Sequence, residues 1–366
     1  MNDGGEHRRL KLSNPWLWFG GVLVVILTGV LYLLLAPEER KESVQSLSSF
    51  LSDVPSDYFT TAVDGVHISI PRDHGSHHDF RQECWYFTGN LTSAEGDLFG
   101  YQLTFFRFAL PPQSSTIDSD WQTSSTWMAH FAITDVSAKQ FHFIDDFSRG
   151  AIGLAGTKTN PFSVWINGWS VEERESTCPD CLSLQLNAGM EDIEISLNIE
   201  SFSPPVLQGN NGFSEKNADG TVASYYYSYP SMDSSGTIRI GEKLHSVAGV
   251  SWMDREWSSA VLAKGQSGWD WFALHLDDHT QLMLFQVRDS EKPENTHRTA
   301  HLIRNNANNV LIESSSIRMN AIDWWTSPKT GSKYPIAWRL SSEKEDARFS
   351  VTVKPQIQNQ ELDLAF

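Results

Sequence analysis

The chain has 366 residues, of which 40% are hydrophobic and 20% are charged, a composition typical of a folded protein rather than a disordered one. Its net charge of −17 makes a surface that repels phosphate backbones, which argues against nucleic acid as a partner. Fourteen tryptophans and twenty phenylalanines favour β-structure and apolar cavities, whereas three cysteines are too few for a disulfide scaffold.

The first predicted element is an uncharged run at residues 16–36. Its 21 residues match the length of about 20 that a bilayer-spanning helix needs. Basic residues precede the run, which places residues 1–15 in the cytoplasm and the remainder of the chain across the membrane. We therefore predict a transmembrane signal-anchor in the inner membrane, with the C-terminal domains in the periplasm. The alternative is a cleaved secretory signal, which usually has a shorter apolar region and an A-x-A-like cleavage site.

Residues 37–60 are rich in serine and charge, and they predict a linker. Beyond them, hydrophobic residues recur mostly with a period of two, in short runs separated by turn signals. This pattern predicts an all-β fold of sandwiches or barrels, and the absence of a sustained amphipathic helix argues against a βαβ sheet. The predicted strands cover residues 84–91, 100–108, 128–134, 182–186, 193–199, 237–240, 269–276, 281–288 and 336–340.

A weak internal repeat suggests two similar β-domains in tandem. Residues 85–87 and residues 269–272 each open an aromatic strand, which is followed by a hairpin and a second strand ending in arginine. The two halves would meet near residues 220–236. We assign residues 61–225 to the first domain and residues 226–366 to the second.

Eight segments carry a resemblance to a known family. In chain order they begin at residues 71, 83, 99, 129, 225, 250, 268 and 334, and they read PRDH, ECWYFTG, FGYQLTFFR, AHFAITD, YYYS, VSWMDREW, GWDWF and YPIAW. Together they resemble the AttH/carotenoid 1,2-hydratase family, with Cys84 in place of a second tryptophan. The resemblance covers about residues 60 to 355 and implies two lipocalin-like β-barrels packed together.

The segment Trp252-Met253-Asp254-Arg255-Glu256-Trp257 supplies the candidate catalytic acid. Burial among tryptophans raises the pKa of a carboxyl group, and a protonated Asp254 could then donate its proton to an alkene. Glu256 could hold or activate the water that adds across the bond. The resemblance supports this role, because the hydratases are thought to rely on an acidic residue in such a segment. The alternative interpretation is an arginine–carboxylate lock at a barrel rim, formed by Arg255.

Further candidate residues surround this acid in the sequence. The resemblance indicates Tyr225 and Tyr227 as catalytic, since a second pair of important hydratase residues lies a comparable distance upstream of the acid, although those enzymes carry other residue types there. His130 lies in an alternating apolar strand and is expected to line the cavity or to be a core histidine. The candidate ligand-binding residues are Trp85, His130, Trp252, Trp257, Trp269 and Trp271.

Two other clusters have simpler interpretations. Asp73-His74, His77-His78-Asp79 and Glu83 form a cluster in which a spacing such as that of His74 and His78 could place ligands together for Zn²⁺. The segment is interrupted by glycine and has no HExxH pattern, so a hydrogen-bonding loop at the barrel mouth is favoured and no metal site is predicted. Cys178-Pro179-Asp180-Cys181 lies between strand-like segments, and outside the cytoplasm it predicts a small disulfide rather than a redox or zinc motif.

Two functions fit these features. The first is acid-assisted hydration or hydrolysis of an apolar lipid or isoprenoid ligand in an aromatic cavity. The second is a non-catalytic lipid carrier that works with an ABC transporter permease. No cofactor is predicted, and the sequence has no Gly-rich phosphate loop. It also has no G-x-S-x-G elbow, so a hydrolase of the serine-triad type has no support. An Asp254 that shares a cavity with His130 or with Tyr225 and Tyr227 would favour the enzyme, and an Asp254 paired with Arg107 or Arg255 would favour the carrier.

Overall fold

The computed structural model describes residues 58–363, except residues 112–118, 120, 177, 179–180, 261, 264 and 305–308. The predicted cytoplasmic segment, the predicted anchor at residues 16–36 and most of the linker lie outside the described residues. Among the residues that are described, no helix has the length and apolar character needed to cross a membrane.

The described chain is all-β, as the period-two pattern predicted, and its helical elements are short 3-10 turns. These turns are Arg72–His74, Ala151–Gly153, Pro293–Asn295, Ser314–Ser316 and Glu345–Ala347. The first thirteen strands are β1 (Gln82–Ser93), β2 (Leu98–Ala109), β3 (Ser125–Asp135), β4 (Gln140–Ser148), β5 (Ala155–Thr159), β6 (Phe162–Ile166), β7 (Trp169–Glu173), β8 (Leu182–Met190), β9 (Ile193–Ser201), β10 (Val206–Leu207), β11 (Phe213–Glu215), β12 (Ala223–Ile240) and β13 (Lys243–Ser258).

These thirteen strands form one antiparallel sheet, which we call the barrel sheet. Its order is β4-β3-β2-β1-β13-β12-β9-β8-β7-β6-β5, and β10 and β11 also pair with β12. The sheet curls into a nearly closed barrel. Asn167, between β6 and β7, donates hydrogen bonds of 2.8 Å to both carboxylate oxygens of Asp146 on β4, and the rings of Phe131 and Trp169 meet across the interior with centroids 5.9 Å apart. The strand order places β13 inside the sheet, between β1 and β12.

The interior of the barrel is filled by the inward-facing residues of alternating strands. On β1 every second side chain is buried, including Trp85 and Phe87, and Leu103 and Phe105 continue the same layer on β2. Because successive side chains of a strand point to opposite faces, this burial accounts for the period of two in the sequence. The inward face is therefore the main hydrophobic core.

The remaining strands form two smaller sheets. The middle sheet contains β14 (Gln266–His275), β15 (Gln281–Asp289), β16 (His297–Ile303) and β17 (Val310–Ile312), in that order. The outer sheet contains β18 (Ile317–Thr326), β19 (Lys333–Ser342) and β20 (Phe349–Val353).

Alternation on β15 shows that the middle sheet is covered on both faces. Leu282 and Leu284 pack with residues of the outer sheet such as Leu340. Met283 and Phe285 point the other way and join a cluster with residues of the barrel sheet. The middle sheet thus lies between the outer wall of the barrel and the outer sheet.

The chain leaves the barrel sheet after Ser258 rather than near residue 225. Tyr225 lies inside β12, which pairs with β13 from Tyr225 opposite Trp257 to Ile240 opposite Lys243. Both strands of this long hairpin belong to the barrel. The segment that carries Asp254 is therefore part of the barrel wall.

Candidate active site

The segment from Trp252 to Trp257 is divided between the two faces of β13. Met253 and Trp257 belong to the core inside the barrel, whereas Trp252 belongs to the cluster formed with the middle sheet. Strand alternation places Asp254 on the same outward face as Trp252, and Arg255 on the inward face. The acid and the neighbouring arginine therefore have different surroundings.

Asp254 is a buried carboxyl group that accepts hydrogen bonds from neutral donors. Only 5% of the residue is exposed. Its Oδ1 atom accepts bonds from the Tyr226 hydroxyl at 2.9 Å, the Ser228 hydroxyl at 2.5 Å and the Trp252 indole N–H at 2.9 Å. Ser228 lies directly opposite Asp254 in the β12–β13 register, which explains why its short side chain reaches the carboxyl group.

Burial raises the pKa of Asp254 to about 7, although its three hydrogen bonds act in the opposite direction. The negative charge of Glu256 on the same strand also raises it. The neutral and ionised forms of the carboxyl group are therefore both populated near neutral pH. An acid with such a pKa can donate a proton and recover it under the same conditions.

Aromatic side chains from both sheets surround the acid. Tyr86 is the partner of Asp254 on β1, and its ring meets the ring of Trp271 edge to face, with centroids 5.5 Å apart. The Trp271 indole N–H donates to the Tyr226 hydroxyl at 3.2 Å. Asp254 thus lies in an aromatic region where the middle sheet meets the barrel wall.

Glu256 provides a second carboxylate two residues along the same face of β13. Its Oε1 atom accepts a hydrogen bond of 2.5 Å from the Ser224 hydroxyl and forms an ion pair of 2.6 Å with the Lys216 ammonium group. The ammonium group also lies 4.6 Å from the ring centroid of Phe285 in the middle sheet. Two residues of strand cover roughly 7 Å, so the two carboxyl groups are close enough to act on one substrate.

The inward side of β13 carries a separate ionic cluster, in which Glu83 pairs with two arginines. Arg107 Nε lies 2.5 Å from Glu83 Oε1, Arg255 contacts Oε2, and all three side chains are buried. Burial alone would raise the pKa of Glu83, but the guanidinium groups of Arg255 and Arg107 and the hydrogen bond from His77 hold it well below its usual range.

This cluster fixes the turn at Arg72–His74 to the barrel mouth. Arg255 donates to the carbonyl of Gly75 at 2.6 Å, and the ring of His77 stacks on Trp257 at 4.0 Å. The Trp85 indole N–H donates to the carbonyl of His74 at 2.8 Å. The arginine–carboxylate lock considered for Arg255 is present, but its carboxylate is Glu83.

Tyr225 and Tyr227 point into the barrel and belong to this inward region. The Tyr227 hydroxyl bonds His74 Nδ1 at 2.6 Å, and the Tyr225 hydroxyl donates to the carbonyl of Val63 at 2.9 Å. The tyrosine that reaches Asp254 is Tyr226, between them. Sequence reasoning missed Tyr226 and Ser228, although the period of two places both on the face opposite Tyr225 and Tyr227.

His130 shares the outward face with Asp254 but lies three strands away. The register runs from Asp254 through Tyr86 and Thr104 to His130, a separation of about 14 Å at roughly 4.8 Å per strand. The His130 ring packs against Phe106, and burial lowers its pKa to about 4. His130 is thus a largely neutral wall residue that does not contact the acid.

The tryptophans predicted to bind a ligand are divided among three places. Trp252 and Trp271 lie at Asp254, whereas Trp85 and Trp257 lie inside the barrel. Trp269 on β14 is 55% exposed. Of these tryptophans, Trp252 and Trp271 are the two that belong to the hydrogen bonds around Asp254.

Neither the cysteines nor the histidines of residues 73–83 form a metal centre among the described residues. A disulfide joins Cys178 and Cys181, and Cys84 is a partly buried free thiol. Within the described part of the chain, no three His, Cys, Asp or Glu side chains come together in an arrangement that could hold a metal ion. His74, His77 and Glu83 instead take part in the hydrogen bonds of the barrel mouth.

The arrangement of the barrel and its acid can be compared with known proteins. The AttH-like family model matches residues 61–366. The chain belongs to the AttH-like family. A solved structure described as a candidate AttH from Nitrosomonas europaea is 31% identical, with a TM-score of 0.67 over 77% of this chain and 83% of that one. No curated protein matches the chain.

A more distant solved structure has the same fold. The chain is similar to kievitone hydratase from Nectria haematococca at 12% identity, with a TM-score of 0.56 over 78% of this chain and 80% of that one. At this identity the similarity establishes the fold alone.

Proposed function

We propose that this AttH-like protein binds an apolar, unsaturated ligand of the lipid or isoprenoid class and adds water across one of its double bonds. The observation that carries the proposal is the buried Asp254 carboxyl group, whose pKa is raised to about 7 in aromatic surroundings. A neutral carboxylic acid in an apolar site is the group that alkene protonation requires.

The proposed reaction uses Asp254 as the general acid. Its proton adds to one alkene carbon, which leaves a carbocation at the other carbon and a carboxylate on Asp254. Aromatic faces such as those of Tyr86 and Trp271 stabilise a cation that forms beside them. Water attacks the carbocation, and the proton that it loses returns to the enzyme, so that alkene and water give an alcohol.

We assign Glu256 the role of orienting the water and accepting its proton. It is a second carboxylate on the same strand face, and Lys216 and Ser224 hold its Oε1 atom in place. Its carboxylate oxygens are hydrogen-bond acceptors, so they can accept a hydrogen bond from water. Asp254 and Glu256 thus have different partners, as a general acid and a general base require.

The fold of the kievitone hydratase structure agrees with this proposal, since that protein is named for a hydration. The alternative is a non-catalytic carrier, for which a membrane tether at residues 16–36 and a transporter permease as partner remain proposals. In a carrier, Asp254 would donate a hydrogen bond to a polar group of the lipid without transferring the proton.

The test is turnover by the purified full chain in water labelled with heavy oxygen, with isoprenoids and unsaturated lipids as substrates. We expect an alcohol that carries the label, and Asp254→Asn should lower its rate by about 100-fold or more, the usual contribution of a general acid. The matched control is Asp233→Asn, which changes an exposed aspartate on the neighbouring strand. It should leave the rate unchanged.

Two results would count against the enzyme. A wild-type rate in Asp254→Asn would remove Asp254 as the acid. Lipid that binds the wild-type chain without conversion, for every substrate offered, would favour the carrier.

A further inference from the structure

The three hydrogen bonds to Asp254 all end on Oδ1, and the direction of two of them is fixed by tryptophans. An indole N–H can only donate, so Trp252 must donate to Oδ1. Trp271 likewise donates to the Tyr226 hydroxyl oxygen. The oxygen of the Tyr226 hydroxyl therefore accepts the bond from Trp271, and its one hydrogen is donated to Asp254 Oδ1.

The direction of the third hydrogen bond, from Ser228, is set by a series of hydrogen bonds that begins on the middle sheet. Nδ1 of His301 on β16 lies 3.0 Å from Oε1 of Gln208, and Nε2 of Gln208 lies 2.9 Å from the hydroxyl of Ser228. Gln208 and His301 are both buried, and burial lowers the pKa of His301 to about 4, which keeps its ring neutral. With its hydrogen on Nδ1, His301 donates to Gln208, which donates to Ser228, whose hydrogen goes to Asp254.

Oδ1 therefore accepts three donated hydrogens. If the acid proton were also on Oδ1, it would lie against one of these hydrogens, which is unfavourable. No residue in the described part of the chain donates a hydrogen bond to Oδ2. We propose that Trp271 and His301 are positioning residues that turn the hydroxyls of Tyr226 and Ser228 onto Oδ1, so that the proton of the neutral acid resides on Oδ2. That this proton is the one given to an alkene rests on the proposed function.

The residues of this hydrogen-bond network come from two sheets. Asp254, Tyr226 and Ser228 belong to the barrel sheet, whereas Trp271 and His301 belong to β14 and β16 of the middle sheet. Contact between the middle sheet and the barrel wall is thus what orients both hydroxyls. The barrel wall alone would leave each hydroxyl free to rotate away from the acid.

Other ionisable groups near Asp254 must be separated from it in any titration. Tyr86 and Cys84 face it from β1, Glu256 from its own strand and Tyr226 from β12, and Lys216 lies beside Glu256. His275 on β14 packs against Trp252. Infrared spectra of full chain labelled with carbon-13 at the aspartate carboxyl isolate the aspartates, and Asp254→Asn identifies the band of Asp254 in the difference spectrum.

The position of the proton determines the carbonyl stretching frequency of the neutral acid. If the proton is on Oδ2, the carbonyl oxygen is Oδ1. Because three donors bond this oxygen, the carbonyl stretching band of Asp254 lies at low frequency. Trp271→Phe should raise that frequency, and it should raise the pH midpoint of the band by about one unit, because the carboxylate loses a donated bond. Trp269→Phe, two residues away on the same face of β14 and 55% exposed, should change neither.

His301 allows an independent test with a rescue. His301→Leu removes the donor to Gln208 and should shift the band and the midpoint in the same direction as Trp271→Phe. His301→Asn retains an N–H near the position of Nδ1 and should restore both. The experiment uses no substrate, so its outcome does not depend on whether hydration occurs.

The proposal would be overturned by a wild-type band at the frequency of a carbonyl without donors, since the proton would then be on Oδ1. It would equally be overturned if Trp271→Phe and His301→Leu, folded by their circular dichroism, left both band and midpoint as in Trp269→Phe.

Discussion

Asp254 and Arg255 are adjacent in sequence, but their side chains lie on opposite sides of the barrel wall. Asp254 faces the middle sheet and is bonded to neutral donors, whereas Arg255 faces the barrel interior and pairs with Glu83. One strand therefore carries the candidate acid on one face and a structural ion pair on the other. The separation lets the acid avoid the positive charge that would lower its pKa.

The ion pair inside the barrel should be essential for stability. Glu83→Gln keeps the size of the side chain but leaves the buried guanidinium groups of Arg107 and Arg255 without their carboxylate, and it should cost about 3–5 kcal/mol of unfolding free energy. Urea unfolding measures this loss.

The matched control is Glu194→Gln, which breaks an ion pair between Arg239 and a glutamate side chain that is 56% exposed. That pair should contribute less than about 1 kcal/mol. Equal losses in the two variants would show that the buried cluster has no special importance.

The strand content of this chain was predictable from sequence, but the sheet order was not. Alternation is local, so the aromatic runs at Trp85 and Trp269 predict strands directly. The pairing of β1 with β13 joins residues such as Trp85 and Arg255, which are far apart in the chain, and no local pattern encodes that contact. The predicted boundary near residue 225 followed the weak repeat, whereas the change of sheet after Ser258 follows this long-range pairing.

The candidate acid was found from its tryptophan neighbours, but its partners were not. Asp254 stands out because a carboxyl group between aromatic residues is unusual. Its partners on β12 were missed because residues 223–230 of that strand are buried on both faces. Where both faces are buried, hydrophobicity no longer distinguishes inward from outward, so Tyr225 and Tyr227 could not be separated from Tyr226 by composition alone.

Asp254 should make the folded state less stable as the pH rises. Its folded pKa of about 7 lies above its ordinary value of 3.8, so its stabilising contribution is complete below about pH 4 and is lost as the pH rises through 7. Over this range Asp254→Asn should gain stability relative to the wild type by roughly 4 kcal/mol.

The measurement is the difference in unfolding free energy between the two proteins at several pH values. His74, His130 and His301, whose burial lowers each pKa to about 4, contribute the opposite slope in an overlapping range. Taking the difference cancels them, because both proteins contain these histidines. A constant difference across the range would show that Asp254 is ionised throughout.

The disulfide between Cys178 and Cys181 should be dispensable for folding. It closes a loop with a sequence separation of 3, so the chain entropy that it removes from the unfolded state is worth at most about 2 kcal/mol. The double serine variant should fold and melt at a slightly lower temperature. Peptide mass mapping that shows both thiols free in the wild type, or a cross-link to Cys84, would contradict the assignment.

Adjacent tyrosines on β12 provide the sharpest test of the two faces of the wall. Tyr226→Phe removes a hydrogen bond to Asp254, and Tyr227→Phe removes one to His74. Each hydroxyl has a second partner as well, the Trp271 indole N–H for Tyr226 and the Asp73 carbonyl for Tyr227. Each substitution therefore leaves two groups without that bond, and both should lose about 1–3 kcal/mol of unfolding free energy.

The two variants should differ in the pH dependence of hydration. If Asp254 must be protonated to act, the rate falls as the pH rises past its pKa of about 7. Tyr226→Phe withdraws a donor from the carboxylate, which raises that pKa and should move the decline to higher pH by about one unit. Tyr227→Phe should leave the midpoint unchanged, because its hydroxyl lies on the other side of the wall. Equal shifts in both variants would show that the profile reports general destabilisation rather than the ionisation of Asp254.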